Sequence, residues 1–293
     1  MARALVTGLR GFTGRYLEAE LADAGYEVIG VGSHSEESDN YFQANLEDGN
    51  RLREVVAEVG PDVVVHLAGV AFVGHADRTA FYRVNLIGTR NLLEAVAETA
   101  PQVRCVLISS SANVYGNAEV SPIPETAPPA PVNDYAVSKL AMEYMARLWM
   151  DRLPIVITRP FNYTGVGQDE RFVIPKIIAH FRERKSCIEL GNLQVYREYN
   201  DVRSIAQACR RLIEVCPAGQ TVNLCSGRAY SLQDVLDLAQ TLSGHSLEVR
   251  VNPAFVRPNE VHTLTGDKTK LTSLIGDWDT IPLRQTLEWM LRG

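Results

Sequence analysis

Apolar runs and amphipathic stretches take turns along this chain almost from its first residue. ARALVT (Ala2–Thr7) and YEVIGVG (Tyr26–Gly32) are short apolar segments, separated by the helix-forming stretch RYLEAELADAG. A helix over Asn50–Val59 leads into DVVVHLAG (Asp62–Gly69), and a helix over Asn85–Glu98 leads into a strand over Arg104–Ser109. A run such as Val63–Val65 shows no polar alternation, which predicts a strand covered on both faces, as in a parallel sheet. Strand and helix in regular succession predict an α/β fold with a doubly wound parallel sheet.

After the strand Pro154–Thr158 the pattern changes. RPFNYTGVGQDERFVIPK reads as a long loop running into a helix, Asp201–Val215 as an amphipathic helix, and Gln220–Gly227 as a late strand. Residues 1–160 are therefore expected to form a Rossmann domain, to which 201–227 return. The remainder of 161–293 is expected to form mainly a smaller C-terminal substrate-binding lobe. Ser231 followed by Asp234 ahead of an apolar run predicts a capped helix start.

The first strand–helix turn carries Gly8, Gly11 and Gly14 at GxxGxxG spacing, a variant of the GxGxxG fingerprint. Such glycines let the backbone turn tightly and approach a pyrophosphate, which the helix N-terminus then stabilises. An acid at the end of the second strand would select NAD through the ribose 2′-hydroxyl. This chain has Gly32, Ser33 and His34 there, with no acid before Glu36, while Arg10 in the glycine loop is able to meet a 2′-phosphate. NADP(H) is the cofactor expected. Ala68 and Gly69 end the DVVVHLAG strand with little bulk, leaving room for a cofactor, whereas His66 reads as structural.

Candidate chemistry lies on PVNDYAVSKLAMEYM. Tyr135 and Lys139 stand four apart in a helical segment, so phenol and ammonium share one face. A neighbouring cation favours the phenolate and is expected to draw the Tyr135 pKa down toward neutrality, where a phenol can exchange a proton with a sugar oxygen. Ser111, in SSSANVYG, follows a strand at its carboxyl end, where open α/β sheets hold ligands, and can donate a hydrogen bond to the same oxygen.

The net charge of −6, without Lys/Arg clusters, argues against nucleic acid or an anionic membrane as partner. Five scattered cysteines without a CxxC pair give no metal spacing and fit a reducing compartment. No 18-residue apolar run is present to span a bilayer, and the expected location is cytoplasmic.

Taken in order, GLRGFTG, HLAG, SSSANVYG, ETAPPAPVNDYAVSK and RPFN resemble the extended short-chain dehydrogenase/reductase family of nucleotide-sugar enzymes. NYTGVGQ, GNLQVYREYNDVRS and NPAFVRPNEVHTLTGDKTKL are similar to its GDP-mannose branch, and most to GDP-4-dehydro-6-deoxy-D-mannose reductases. The resemblance implies catalysis by Ser111, Tyr135 and Lys139, with Phe12, Ser33, Asn45 and Leu46 joining the glycine loop around NADP(H). Asn45 departs from the Asp that many members carry near the adenine. It further implies a GDP-linked 4-keto-6-deoxy sugar as substrate, contacted by Asn162, Lys176, Arg197, Arg257 and Glu260, with the two arginines on the diphosphate. GDP-D-rhamnose is the product expected. GDP-mannose 4,6-dehydratases place an acid and a base directly after the catalytic hydroxyl; here those places hold Ala112 and Asn113, neither of which transfers a proton at neutral pH. A 4-epimerase and a non-catalytic dinucleotide sensor are the competing readings. The family also commonly pairs the helices Asn85–Glu98 and Ala136–Trp149 with a second copy's, so a homodimer is expected; of their apolar residues Leu92, Leu93, Met142, Met145 and Trp149, some must face the sheet.

Overall fold

The computed structural model describes residues 1–35, 38–256 and 261–293. The first part alternates as its pattern predicts: β1 (Ala2–Thr7), α1 (Phe12–Asp23), β2 (Tyr26–Gly32), β3 (Tyr41–Gln43), α2 (Gly49–Val59), β4 (Val63–His66), a π-helical segment (Phe81–Gly88) running into α3 (Thr89–Thr99), and β5 (Cys105–Ser109). There follow α4 (Asp134–Arg147), β6 (Ile155–Pro160), β7 (Tyr163–Thr164), α5 (Val173–Arg182), β8 (Cys187–Leu190), β9 (Tyr196–Glu198), β10 (Asn200–Asp201), α6 (Val202–Val215) and β11 (Thr221–Leu224). The chain ends with β12 (Ala229–Ser231), α7 (Leu232–Ser243), β13 (Glu248–Val251), β14 (Thr263–Leu264), α8 (Thr269–Ile275) and α9 (Leu283–Arg292).

Seven parallel strands form one sheet in the order β11-β6-β5-β4-β1-β2-β3. The order reverses beside β1, so β1 and β4 diverge into helices on opposite sides and open a crevice at their carboxyl ends. Each face of the sheet carries its own apolar layer. Leu17 and Leu21 of α1 and Ile205, Cys209 and Leu212 of α6 cover one; Leu52, Val55, Leu92, Leu93 and Met142 cover the other. Val63, Val64 and Val65 divide between the two layers and are at most 1% exposed, the burial that an unbroken apolar run implies.

A further apolar cluster lies outside these layers, where Ile174, Ile177 and Phe181 of α5 meet Val235 and Leu236 of α7 and Leu283 and Leu287 of α9. Ser231 and Asp234 make the reciprocal capping box that starts α7.

One expectation changes. The helix expected over 85–98 begins earlier and is π-helical from Phe81 to Gly88, and within that segment Asn85 is turned inward to bond to the Val70 backbone. Leu92, Leu93 and Met142 are fully buried against the sheet, with Met145 and Trp149 packed at the margin of the same layer. The apolar side chains these helices leave exposed are instead Ile87, Val137, Tyr144 and Leu148.

Candidate active site

The glycine loop is built by close backbone approach. Gly8 has φ +76°, and a Cβ there would stand 2.9 Å from the Ala68 nitrogen at the end of β4. Gly14 lies within α1, where a Cβ would meet the Gly8 and Leu9 carbonyl oxygens at 2.3 Å. Gly11 caps α1 without a side chain, so the first-turn N–H groups carry no side-chain cap. An uncapped helix start in a groove floored by glycine and Ala68 fits the pyrophosphate of a dinucleotide.

Beyond this loop, β2 ends in small residues for a reason the sequence left hidden. Cβ atoms at Gly30 and Gly32 would strike the Tyr41 ring and hydroxyl at 2.5 and 2.2 Å. The Arg10 guanidinium lies 5.5 Å from the centre of the Tyr41 ring and pairs with Glu18 at 2.9 Å. Arg10 is thus close to the end of β2, as expected, yet it already holds a carboxylate that any 2′-phosphate must compete with. Ser33 accepts a bond from Gln43 through its carbonyl. Asn45 accepts from the Glu47 N–H, and Leu46 is buried with its carbonyl held by Asn91.

The sheet brings Ser111, Tyr135 and Lys139 together at the carboxyl end of β5. Asn133 caps α4, its side chain accepting from the Ala136 N–H, and Tyr135 and Lys139 follow on the buried face. Lys139 Nζ donates to the Ser109 carbonyl at 2.8 Å, and lies 3.4 Å from where a Gly69 Cβ would be. Burial lowers the Lys139 pKa to about 8 despite the opposing charge of Glu143. The Tyr135 pKa is raised, because burial outweighs the hydrogen bond from Ser111 that lowers it. This corrects the expectation of a phenol depressed by its lysine: the ammonium is spent on a carbonyl, and desolvation of the phenolate wins. His66 is structural as expected, bridging Thr7 and Thr89 at 2.7 and 2.8 Å. Burial, then the charge of Lys139, pushes its pKa down to about 3, so it stays neutral.

Two supporting groups escaped the sequence reading. Asn85 Nδ2 donates to Ser138 Oγ and the Val70 carbonyl, each at 3.1 Å, and Oδ1 accepts from the Val70 N–H at 2.8 Å, tying the loop after β4 to α4. Glu143, one turn beyond Lys139, accepts from Arg159 Nε (2.9 Å), Arg159 Nη2 (2.6 Å) and Ser110 Oγ (2.6 Å). Only spacing i+4 from Lys139 hinted at Glu143; nothing local pointed to Arg159.

On the opposite side, Tyr163 connects the loop after β6 to the glycine loop, stacking on Phe12 (6.0 Å) and bonding to Thr13 Oγ1 (2.7 Å). The carbonyl of Asn162 accepts from Asn200. Lys176 donates to the Glu189 carbonyl at 2.7 Å and covers the Phe255 ring at 4.7 Å. Arg197 donates to the carbonyls of Tyr196, Val261 and His262, so its guanidinium fastens the backbone around β9 and β14. Arg257 and Glu260 lie outside the described residues. Among the described residues no group of His, Cys, Asp and Glu is arranged for a metal, and no helix is long and apolar enough to cross a membrane.

This architecture has known counterparts. The model of the NAD dependent epimerase/dehydratase family matches residues 4–225. GDP-6-deoxy-D-talose 4-dehydrogenase of Aggregatibacter actinomycetemcomitans is 34% identical over 99% of this chain and 97% of its own length. GDP-6-deoxy-D-mannose reductase of Pseudomonas aeruginosa is 32% identical over 99% and 96%. Among solved structures, RMD from Pseudomonas aeruginosa complexed with NADPH has a TM-score of 0.87 at 32% identity, covering 100% of this chain and 98% of that one. The chain belongs to the NAD dependent epimerase/dehydratase family, as an NAD(P)-dependent oxidoreductase of the extended short-chain dehydrogenase/reductase type.

Proposed function

We propose that the chain reduces the 4-keto group of GDP-4-dehydro-6-deoxy-D-mannose with NADPH, forming a GDP-6-deoxyhexose. The observation that carries this reading is the cluster at the end of β5. Ser111, Tyr135 and Lys139 converge there, while Ala112 and Asn113 occupy the places where elimination would need an acid and a base. The bound cofactor supplies the hydride. Tyr135, kept protonated by burial, gives its proton to the oxygen at carbon 4. Ser111 donates a hydrogen bond to the same oxygen, and Lys139, held on the Ser109 carbonyl, is the group proposed to hold the cofactor ribose. Arg197 and Lys176 are the described cations proposed for the diphosphate; Arg257 and Glu260 remain part of the proposal on motif resemblance alone. We assign the cofactor to residues 1–160 with 201–227, and the sugar nucleotide mainly to the rest.

The relatives divide over the product. The Pseudomonas enzyme is named for the manno configuration, which supports GDP-D-rhamnose, and the Aggregatibacter enzyme is named for the talo configuration. The two products differ only at carbon 4. Incubation with the keto sugar and NADPH, followed by NMR assignment of carbon 4, tests the reaction and separates them.

Cofactor choice gives the first prediction. NADPH is expected to be preferred to NADH, and Arg10→Ala to reduce that preference by about 1–2 kcal/mol, the low end for a charge-assisted hydrogen bond because Glu18 competes for the guanidinium. Steady-state kcat/KM for both cofactors in parent and variant measures it, and equal use of NADH by the parent would refute it.

We further propose a homodimer, with the contact made by Ile87 of the π-helical segment, Val137 and Tyr144 of α4, and Leu148 just after α4. Leu148 is 79% exposed and Tyr144 56%, an apolar outer face on helices whose inner face is already packed. Light scattering at micromolar concentration is expected to give twice the chain mass of 32.4 kDa. The mass of a single chain would contradict it.

A further inference from the structure

Asn113 stands two residues beyond Ser111, on a single turn of 3₁₀ helix (Ala112–Tyr115) that Ser111 itself caps. Its backbone N–H and its side-chain Nδ2 both donate to Ser111 Oγ, each at 3.2 Å. A hydroxyl has one proton and two lone pairs. With both lone pairs occupied by Asn113, the hydroxyl is left with one free function, that of a donor. Ser111 is 7% exposed, so water does not freely replace these partners. The turn is fixed by bonds outside the pair: the Gly116 N–H donates to the Asn113 carbonyl, and the Ala130 N–H to the Val114 carbonyl. Ser111 is also the hydrogen-bond partner that lowers the Tyr135 pKa, as a donor to the phenol oxygen does.

We propose that Asn113 is a positioning residue that fixes the direction of the Ser111 hydroxyl, filling its acceptor sites so that its one proton points to the Tyr135 oxygen in the free chain and to the sugar oxygen when substrate is bound. The residue type at 113 then bears on which reaction the site supports. A carboxylate there is acceptor only; it would accept a hydrogen bond from the Ser111 hydroxyl and leave that oxygen's lone pairs turned toward the developing negative charge. An amide at the same place makes Ser111 a preset donor, which reduction of a ketone requires and which costs no reorganisation during the step.

The inference rests on the reduction proposed above, so its test has one arm with substrate and one without. In turnover, Asn113→Asp is expected to lower kcat by about 10²-fold, the worth of one lost oxyanion donor, and Asn113→Ala by roughly tenfold, with KM for the keto sugar changed less than kcat in both. In the arm without substrate, the chain carries ¹³Cζ-tyrosine, and the Tyr135 resonance is identified by its absence in Tyr135→Phe. Its titration is expected to move to higher pH in Asn113→Ala, where a donor has lost its orientation but no charge has been added. Tyr163 and Lys139 are the other titratable groups in this pocket, with His66 beyond Lys139, and Asn113→Ala leaves all three in place. An Asn113→Asp enzyme as active as the parent would overturn the proposal, because an acceptor would then serve as well as a donor. An unchanged Tyr135 titration in Asn113→Ala would overturn it also. A parent unable to reduce the keto sugar would remove the reduction reading alone, since the titration decides the role of Asn113 without substrate.

Discussion

Tyr135→Phe is expected to fold as the parent does and to lose about 10²–10⁴ in turnover, the usual worth of a positioned general acid. The ring is almost fully buried and lies 6.0 Å from that of Phe81, and phenylalanine keeps this packing. The lost hydroxyl removes its hydrogen bond with Ser111, which costs about 1 kcal/mol of stability. The acidity argument sets the pH profile as well. The folded Tyr135 pKa lies above its usual value, so the acid form is fully present at neutral pH and reduction declines only as pH rises through that raised pKa. In the variant this basic limb should disappear from single-turnover rates. A variant with near-parental single-turnover rate would show that Tyr135 is not the proton donor.

Glu143→Gln is expected to destabilise the fold by about 3–5 kcal/mol, the cost of leaving one member of a buried ion pair without its partner. The Glu143 and Arg159 side chains are 1% and 4% exposed and joined by a bidentate bond. Among the described residues, Arg159 Nη1 lacks a hydrogen-bond partner. Tyr115 supports the guanidinium as well, through its hydroxyl and through a ring centred 4.7 Å from the guanidinium carbon. A double variant, Glu143→Leu with Arg159→Met, should be less damaged than Glu143→Gln, because no charge then remains buried. Thermal unfolding distinguishes the cases: a fall of roughly 8–15 °C is expected for the single variant in a chain of this size. A single variant within about 2 °C of the parent would mean that water or a backbone shift compensates the arginine, and the pair would lose its assigned role. The pair matters to the site because Ser110 is bonded to Glu143 and precedes Ser111, while Glu143 follows Lys139 on α4. Ser111 and Lys139, two of the three side chains proposed to act on the substrate, are thus neighbours of this network in the chain.

What the sequence made legible follows from the range of the forces involved. β1 and β2 lie where their apolar runs end, and the Ser231 box starts α7, because local pattern and capping decide those boundaries. The spacing of Tyr135 and Lys139 fixed their shared face for the same reason. Features that depend on distant partners were hidden. β3 is three residues long and exists through pairing with β2. Nothing local to Gly30 and Gly32 marks their role, which is to leave room for Tyr41 packed against them. Asn85 meets Val70 from fifteen residues away, and Glu143 meets Arg159 from sixteen away. The direction of the Tyr135 pKa was misread because spacing reveals a neighbouring cation but not how deeply the phenol is buried, nor that the cation bonds elsewhere. Arg197 was found as a cation, but its three carbonyl partners come from three-dimensional contact.

The central claim, hydride transfer to carbon 4 of a GDP-linked keto sugar, is tested most directly by isotope. The chain would be incubated with GDP-4-dehydro-6-deoxy-D-mannose and NADPH carrying deuterium on both positions of nicotinamide carbon 4, and the product examined by NMR. The account predicts one deuterium on carbon 4 of a GDP-6-deoxyhexose for each NADPH consumed. A rearranged sugar without deuterium and without net cofactor consumption, as an epimerase would give, would contradict it.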